Sequence, residues 1–216
     1  MNCCQCQGFE QVFSGKCVAR ELRQYRRKGP GKTTRMLLDA LKGDHIRGKT
    51  LLDIGGGVGI IQHELLDAGV VRAHAVEASS AYLEVAEAEA RKRGYGDRVQ
   101  FSHGNFVDRA PELPDADIVT LDRVICCYHD MPTLVKLSAA RARHLYGLVY
   151  PRDTWLTRAS FRIMNFGLWL WRNPFRVFVH ASDAVDEVVR RSGLERRFYR
   201  KTPMWQVVVY ERSVAE

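Results

Sequence analysis

The stretch LLDIGGGVGII, residues 51–61, constrains the fold of this chain more than any other. An apolar run carries Asp53 into four glycines within five positions, Gly55, Gly56, Gly57 and Gly59, and apolar residues then resume. Glycine reaches left-handed backbone at no steric cost and lets another group approach bare main chain. The run before the turn reads as a strand and the segment after it as a helix, residues 59–69.

The same alternation continues along the chain. Strands are predicted at 49–54, 72–78, 98–104, 116–122 and 145–151, with helices at 59–69, 80–94 and 131–144 between them. Two helices precede the first strand, at 18–28 and 35–42, the second capped by Thr33 or Thr34. Beyond Pro151, residues 158–173 are dense in aromatic and aliphatic side chains. They are followed by an amphipathic helix at 182–193 and strands at 194–201 and 204–212. Repeated strand–helix units predict an α/β fold with a mostly parallel central sheet, helices on both faces and an antiparallel C-terminal end. The expected organisation is an N-terminal helical lid segment over 1–49, a cofactor-binding core over 50–151, and a C-terminal part of the same domain with a helical substrate insert over 152–216.

Composition narrows the class. With 46% apolar and 27% charged residues, the chain has the balance of a soluble globular protein. Its first residues, MNCCQCQGFE, lack the apolar core of a secretory signal, so a cytoplasmic location is expected. The segment ASFRIMNFGLWLW is too short to span a bilayer and carries Arg162, leaving contact with a membrane surface as the expectation. The formal charge of +8 is uneven, at +7 over residues 1–50, −4 over 51–149 and +5 over 150–216. Basic flanks suit an anionic partner or a solvated surface equally. Six cysteines are present, and Cys3, Cys4, Cys6 and Cys17 do not follow a regular zinc spacing, so no metal is expected.

Two phosphate-binding readings of the glycines fail. A phosphate loop needs a Lys after its last glycine; the Gly-Lys-Thr at 31–33 has Arg26 where that motif needs its first glycine. The dinucleotide fingerprint needs a third glycine, and Ile60 or Gln62 stands there. An NAD enzyme is therefore disfavoured.

The turn instead resembles the first motif of class I S-adenosylmethionine-dependent methyltransferases, with Asp53 followed by Gly55, Gly57 and Gly59. The resemblance implies S-adenosyl-L-methionine as cofactor, with Asp53 helping to hold its methionine end and the glycines admitting it to the backbone. It also implies that Glu77, ending the second strand, accepts hydrogen bonds from the ribose. By the same resemblance, Asn105 stands for the usual Asp near the adenine, Phe106 lines the adenine face or packs as a core aromatic, and Asp122 ends the fourth strand near the cofactor. The similarity covers residues 30–150.

After the fourth strand comes RVICCYHD. His129 and Tyr128 are the candidate base or orienting groups there, against a structural role for the histidine. Cys126 and Cys127 read as small packing residues. The C-terminal region resembles the magnesium-protoporphyrin O-methyltransferase branch, which implies a small-molecule acceptor with an apolar body and a carboxylate or hydroxyl. Arg162 and His180 are candidates to meet it, and Tyr25 sits among basic residues on a helix, within residues 9–35, expected either to close over the crevice or to pack elsewhere with a solvated basic face. A nucleic-acid methyltransferase is the alternative that the basic flanks favour. Against it, no Asn/Asp-Pro-Pro-aromatic motif follows the fourth strand. A cofactor-binding module without catalysis is the third reading.

Overall fold

The structure, a computed structural model, describes residue 12 and residues 15–213. Its strands are β1 (Thr50–Ile54), β2 (Arg72–Glu77), β3 (Val99–His103), β4 (Ala116–Asp122), β5 (Ala142–Pro151), β6 (Leu194–Lys201) and β7 (Trp205–Arg212). Its helices are α1 (Gly15–Lys28), α2 (Lys32–Leu41), α3 (Ile60–Asp67), α4 (Ser80–Lys92), α5 (Phe106–Arg109), α6 (Met131–Ala140), α7 (Trp155–Leu170) and α8 (Ser182–Arg191). The seven strands form one sheet in the order β3-β2-β1-β4-β5-β7-β6. β1 to β5 are parallel, and β7 runs antiparallel to both of its neighbours.

Alternation along the central strands builds two cores. On β5, Leu145 and Val149 face one way, with Val207 and Val209 of β7, against Leu37, Leu38 and Leu41 of α2. Tyr146, Leu148 and Tyr150 face the other way, with Val208 and Tyr210, against α6 and α8. This is the period-two pattern of a sheet buried on both sides. The buried tyrosines keep partners, Tyr146 at Ser138 Oγ (2.7 Å) and Tyr210 donating to Asp186 Oδ1 (3.1 Å).

Two of the boundaries that differ from the sequence expectation have a visible cause. α2 starts one residue before Thr33, at Lys32, with Gly31 as its cap and no side-chain capping bond. Thr34 is instead buried and donates to Asp122 Oδ2 at 2.6 Å, since that carboxylate ends the neighbouring strand. α6 stops at Ala140, and residues 142–144, read as helical, open β5. There pairing with β4 captures the alanine-rich end, overriding its helix propensity.

α1 lies over α4 rather than on the sheet. Val18 and Tyr25 are buried with Val58, Ile60 and Tyr82 in a separate apolar cluster. Glu89 of α4, almost fully buried, binds Arg26 of α1 and accepts from Arg93 Nε at 3.0 Å. The Arg26 hydrogen bond is the main cause that holds the Glu89 carboxyl down at about 2. Its stabilisation is therefore complete above the unfolded value of 4.5 and disappears as pH falls toward about 2. Glu89→Gln should cost about 1–3 kcal/mol at pH 7 and progressively less below pH 4. Urea unfolding of both proteins across that range checks this; a cost that does not change with pH contradicts it.

Candidate functional site

The parallel strands end their carboxyl termini on one edge, and the order reverses at β1, between β2 and β4. In an open α/β sheet the crevice outside such a reversal is where ligands bind. The glycine turn sits there. Gly55, Gly57 and Gly59 adopt φ of +65°, +56° and +86°. A side chain at Gly56 would also collide, its Cβ falling 2.6 Å from Asp53 Oδ2 and 2.3 Å from Gln62 Nε2.

Asp53 underpins this turn. It faces Thr120 across the β1–β4 register and is buried. Its Oδ1 accepts from Thr120 Oγ1 at 2.7 Å and its Oδ2 from Gln62 Nε2 at 3.1 Å. Burial pushes its carboxyl up to about 7, against the lowering effect of those two bonds. Asp53 thus lies beneath the turn and does not line the cavity above it.

That cavity is about 430 Å³. Its polar wall carries Gly55, Gly57, Glu77, Asn105 and Asp122. Glu77 accepts from Gly57 N (3.1 Å) through one oxygen and from Ser79 N (2.9 Å) through the other. Burial raises its carboxyl, and the backbone N–H groups oppose that. With Ala78 N–H also donating to this carboxylate, it keeps part of its lone-pair capacity for a ligand hydroxyl. Asn105 caps α5 through Oδ1, accepting from Val107 N at 3.3 Å, and its Nδ2 donates to Tyr128 OH at 3.3 Å. Phe106 is buried beside it on the wall. Asp122 accepts from Thr34 and from Arg123 Nε (3.2 Å). The opposite wall is apolar and comes from Met164, Phe175, Val177 and Trp205, with Cys126 and Cys127.

Several residues singled out in the sequence lie off this wall. Gly59 caps α3. Tyr25 is corrected from an acceptor contact to a packing residue, because its ring is buried under Arg93 (4.8 Å) and its hydroxyl donates to Glu64. His129 is exposed and stacks on Tyr128 at 5.5 Å between centroids. His180 places Nε2 2.9 Å from the Tyr128 carbonyl and is half-buried, acting as a clip. Arg162 is exposed on α7. Only Tyr128 of these acceptor-side candidates reaches the cavity. Cys17 is a free thiol, whereas Cys3, Cys4 and Cys6 lie outside the described residues. Among the described residues no cluster of three or more His, Cys, Asp or Glu is placed to hold a metal.

Sequence reasoning missed three wall or near-wall groups. Glu21 lines the cavity from α1 and accepts from Tyr82 OH at 2.5 Å. Arg123 lines it with φ +63°, a left-handed conformation costly for a side chain of its size. Thr34 braces Asp122 from α2. None carries a motif, and only the packing of α1 and α2 brings Glu21 and Thr34 here. A wider depression of about 1180 Å³ between α8 and β6 is lined by charges of both signs, such as Asp183, Asp186, Arg190 and Arg196, and lies away from the turn at residues 55–59.

Residues 51–146 match a family model described as "Methyltransferase domain". That stretch, a little under half of the chain, resembles a methyltransferase domain. It holds β1 to β4, half of β5 and the polar wall. The chain is 26% identical over 110 residues, half of its length, to ribosomal protein L11 methyltransferase of Desulforamulus reducens, and spans about a third of that relative (36%). Magnesium protoporphyrin IX methyltransferase from Synechocystis, solved with SAH bound, superposes with a TM-score of 0.73 at 18% identity, covering 94% of this chain and 98% of that one. An O-methyltransferase family protein from Burkholderia thailandensis superposes at 0.67 and 18% identity, covering 95% and 64%. The fold is that of the methyltransferase structures on which the chain superposes.

Asp53 gives a prediction with a definite sign. Its unfolded carboxyl ionises near 3.8 and its folded one near about 7. Between these values the unfolded state gives up the proton first, so stability falls as pH rises and levels off above 7. Asp53→Asn removes that loss. Measured by urea unfolding, its stability relative to the parent should improve by about 2–4 kcal/mol from pH 4 to pH 8. Parallel profiles would contradict the assignment.

Proposed function

We propose that this chain is an S-adenosylmethionine-dependent methyltransferase acting on a small apolar acceptor through a carboxylate or hydroxyl oxygen. The observation that carries this is the two-sided cavity, with a polar wall on the glycine turn and an apolar wall from α7 and the segment after it. The wall fits the cofactor. Gly55 and Gly57 leave room against the backbone, and a Cβ at Gly55 would fall 2.5 Å from Val124 Cγ2. Glu77 offers acceptors to the ribose hydroxyls. Asn105 and Phe106 frame the adenine position, and the acidic Asp122 and Glu21 suit the positive amino group and sulfonium. When bound, the cofactor supplies an electrophilic methyl group.

The chain's own work is alignment and exclusion of water. Glu77 and the turn fix one reactant, while Met164, Phe175 and Val177 pack the other. No histidine lines the wall among the described residues. A carboxylate acceptor needs no proton removed, which favours it over a hydroxyl or amine. The name of the Synechocystis neighbour points the same way, toward a flat apolar molecule bearing propionates. The cavity volume lies in the lower half of the ~300–1,000 Å³ usual for ligand sites. The acceptor's bulk therefore rests against α7, outside the polar wall. α1 contributes Glu21 and forms part of a lid over the cofactor, and a cytoplasmic location accords with these roles. A nucleic-acid acceptor is favoured only by the basic flanks, and a binding module without turnover would leave the polar wall equally intact.

Calorimetry with S-adenosylhomocysteine and NAD tests the cofactor, and the former should bind much the more tightly. Glu77→Ala should weaken it by about 1–3 kcal/mol, whereas Asp53→Ala should weaken it by slackening the turn. Unchanged affinity in Glu77→Ala would displace the site. A labelled methyl donor offered with porphyrin propionates, simple aryl carboxylates and polynucleotides identifies the acceptor. Label transferred to RNA alone would overturn the small-molecule assignment.

Deletion of residues 1–30 removes α1 and with it Glu21. The remaining sheet keeps both of its main cores, so circular dichroism should show a folded chain. Cofactor affinity should fall and turnover should be lost. Turnover equal to the full chain would show that α1 is no lid.

A further inference from the structure

Of ten large hydrophobic side chains exposed among the described residues, eight fall within residues 155–171, so this exposure is local to one element. α7 buries Thr157 and Phe161. Trp155, Ile163, Phe166, Trp169, Leu170 and Trp171 are 61–80% exposed. Leu156, Ile163, Phe166 and Leu170 follow helical spacing and form one face, opposite the buried one. Exposed apolar side chains gathered on one face in this way mark an interaction surface.

Its charge is equally one-sided. Residues 154–182 contain Arg158, Arg162, Arg172 and Arg176 and no Asp or Glu. Arg158 reaches back to Asp153 (2.5 Å) and Arg176 donates to the carbonyls of Asn173 and Phe175. Arg162 and Arg172 are exposed and make no ion pair among the described residues. No described helix is long and apolar enough to cross a membrane. Tryptophans and arginines bordering an aliphatic face are the composition of a helix that lies in the plane of an anionic bilayer surface.

We propose that α7 and the turn after it dock this protein on anionic lipid, with Ile163, Phe166 and Leu170 entering the acyl boundary and Arg162 and Arg172 meeting headgroup phosphates. The element is braced for this. Asn165 clamps residue 177 twice, accepting from Val177 N (2.9 Å) and donating to its carbonyl (2.8 Å). Phe178 N donates to the Cys126 carbonyl at 2.7 Å. The outer face is thus tied to the segment whose Phe175 and Val177 line the cavity. On the methyl-transfer reading, docking would present the apolar wall to acceptors dissolved in the bilayer. The docking itself does not depend on that reading.

The test uses the full chain and vesicles, without cofactor or acceptor. Sedimentation with phosphatidylcholine vesicles containing 30% phosphatidylglycerol should carry the protein down, and tryptophan emission should shift to the blue, because three of the four tryptophans are exposed within residues 155–171. Binding should fall roughly tenfold or more in high salt or on pure phosphatidylcholine. The triple variant Ile163→Glu, Phe166→Glu, Leu170→Glu should lose vesicle binding while keeping its circular dichroism spectrum. If that variant fails to fold, Arg162→Glu with Arg172→Glu removes the headgroup contacts and should lose binding too. No pelleting of the parent chain overturns the proposal, as does equal binding to neutral vesicles. A stable dimer by light scattering that the triple variant dissolves, without vesicle binding, would assign the face to a second copy instead.

Discussion

The contact on which the rest of the site depends is the buried carboxylate of Asp53, held between Thr120 on the neighbouring strand and Gln62 on the following helix. It joins β1, β4 and α3 directly under the glycine turn. Gly56 has no room for a side chain because that carboxylate and amide occupy the space. The turn is therefore compressed from below and open above. Its upward-facing backbone includes the Gly57 N–H that fixes Glu77, so one buried acid sets the position of a second, ligand-facing one. Burying a carboxylate with only two neutral donors is unfavourable, and the upward shift of its ionisation expresses that cost.

The cavity has two chemistries because two parts of the chain build it. The parallel half of the sheet supplies strand ends bearing acids and glycines. The segment between β5 and α8 supplies aliphatic and aromatic walls, anchored by Asn165 and His180. Glu21 arrives separately from α1, whose hold on the core is the Val18–Tyr25 cluster and the Arg26–Glu89 pair rather than the sheet. A helix fastened to α3 and α4 and not to the sheet can loosen without disturbing the strands beneath.

Much of the fold was legible because its signals are local. Apolar runs between glycines gave the strands of the sheet, and the antiparallel end followed from β6 and β7 adjoining in sequence. Gly55, Gly57, Glu77, Asn105, Phe106 and Asp122, singled out through the family resemblance, all line the cavity. The acceptor side was not legible. His129, His180, Arg162 and Tyr25 have suitable chemistry, but whether each faces the cavity depends on how α1, α7 and the segment after it pack, which no periodicity encodes. Tyr25 and Glu21 lie four residues apart on α1, yet Tyr25 is buried against α3 and α4 while Glu21 reaches the cavity. Thr34 reads as a helix cap by residue type, and its buried bond to Asp122 is visible only in three dimensions.

The central claim is that the glycine turn and Glu77 form the cofactor site. Amide NMR of the labelled full chain during titration with S-adenosylhomocysteine tests it most directly. Saturable shifts should concentrate at Gly55, Gly57, Ala78 and Asn105 and leave the depression beside Arg190 and Arg196 unmoved. Shifts confined to that depression, or none at saturating ligand, would contradict the account.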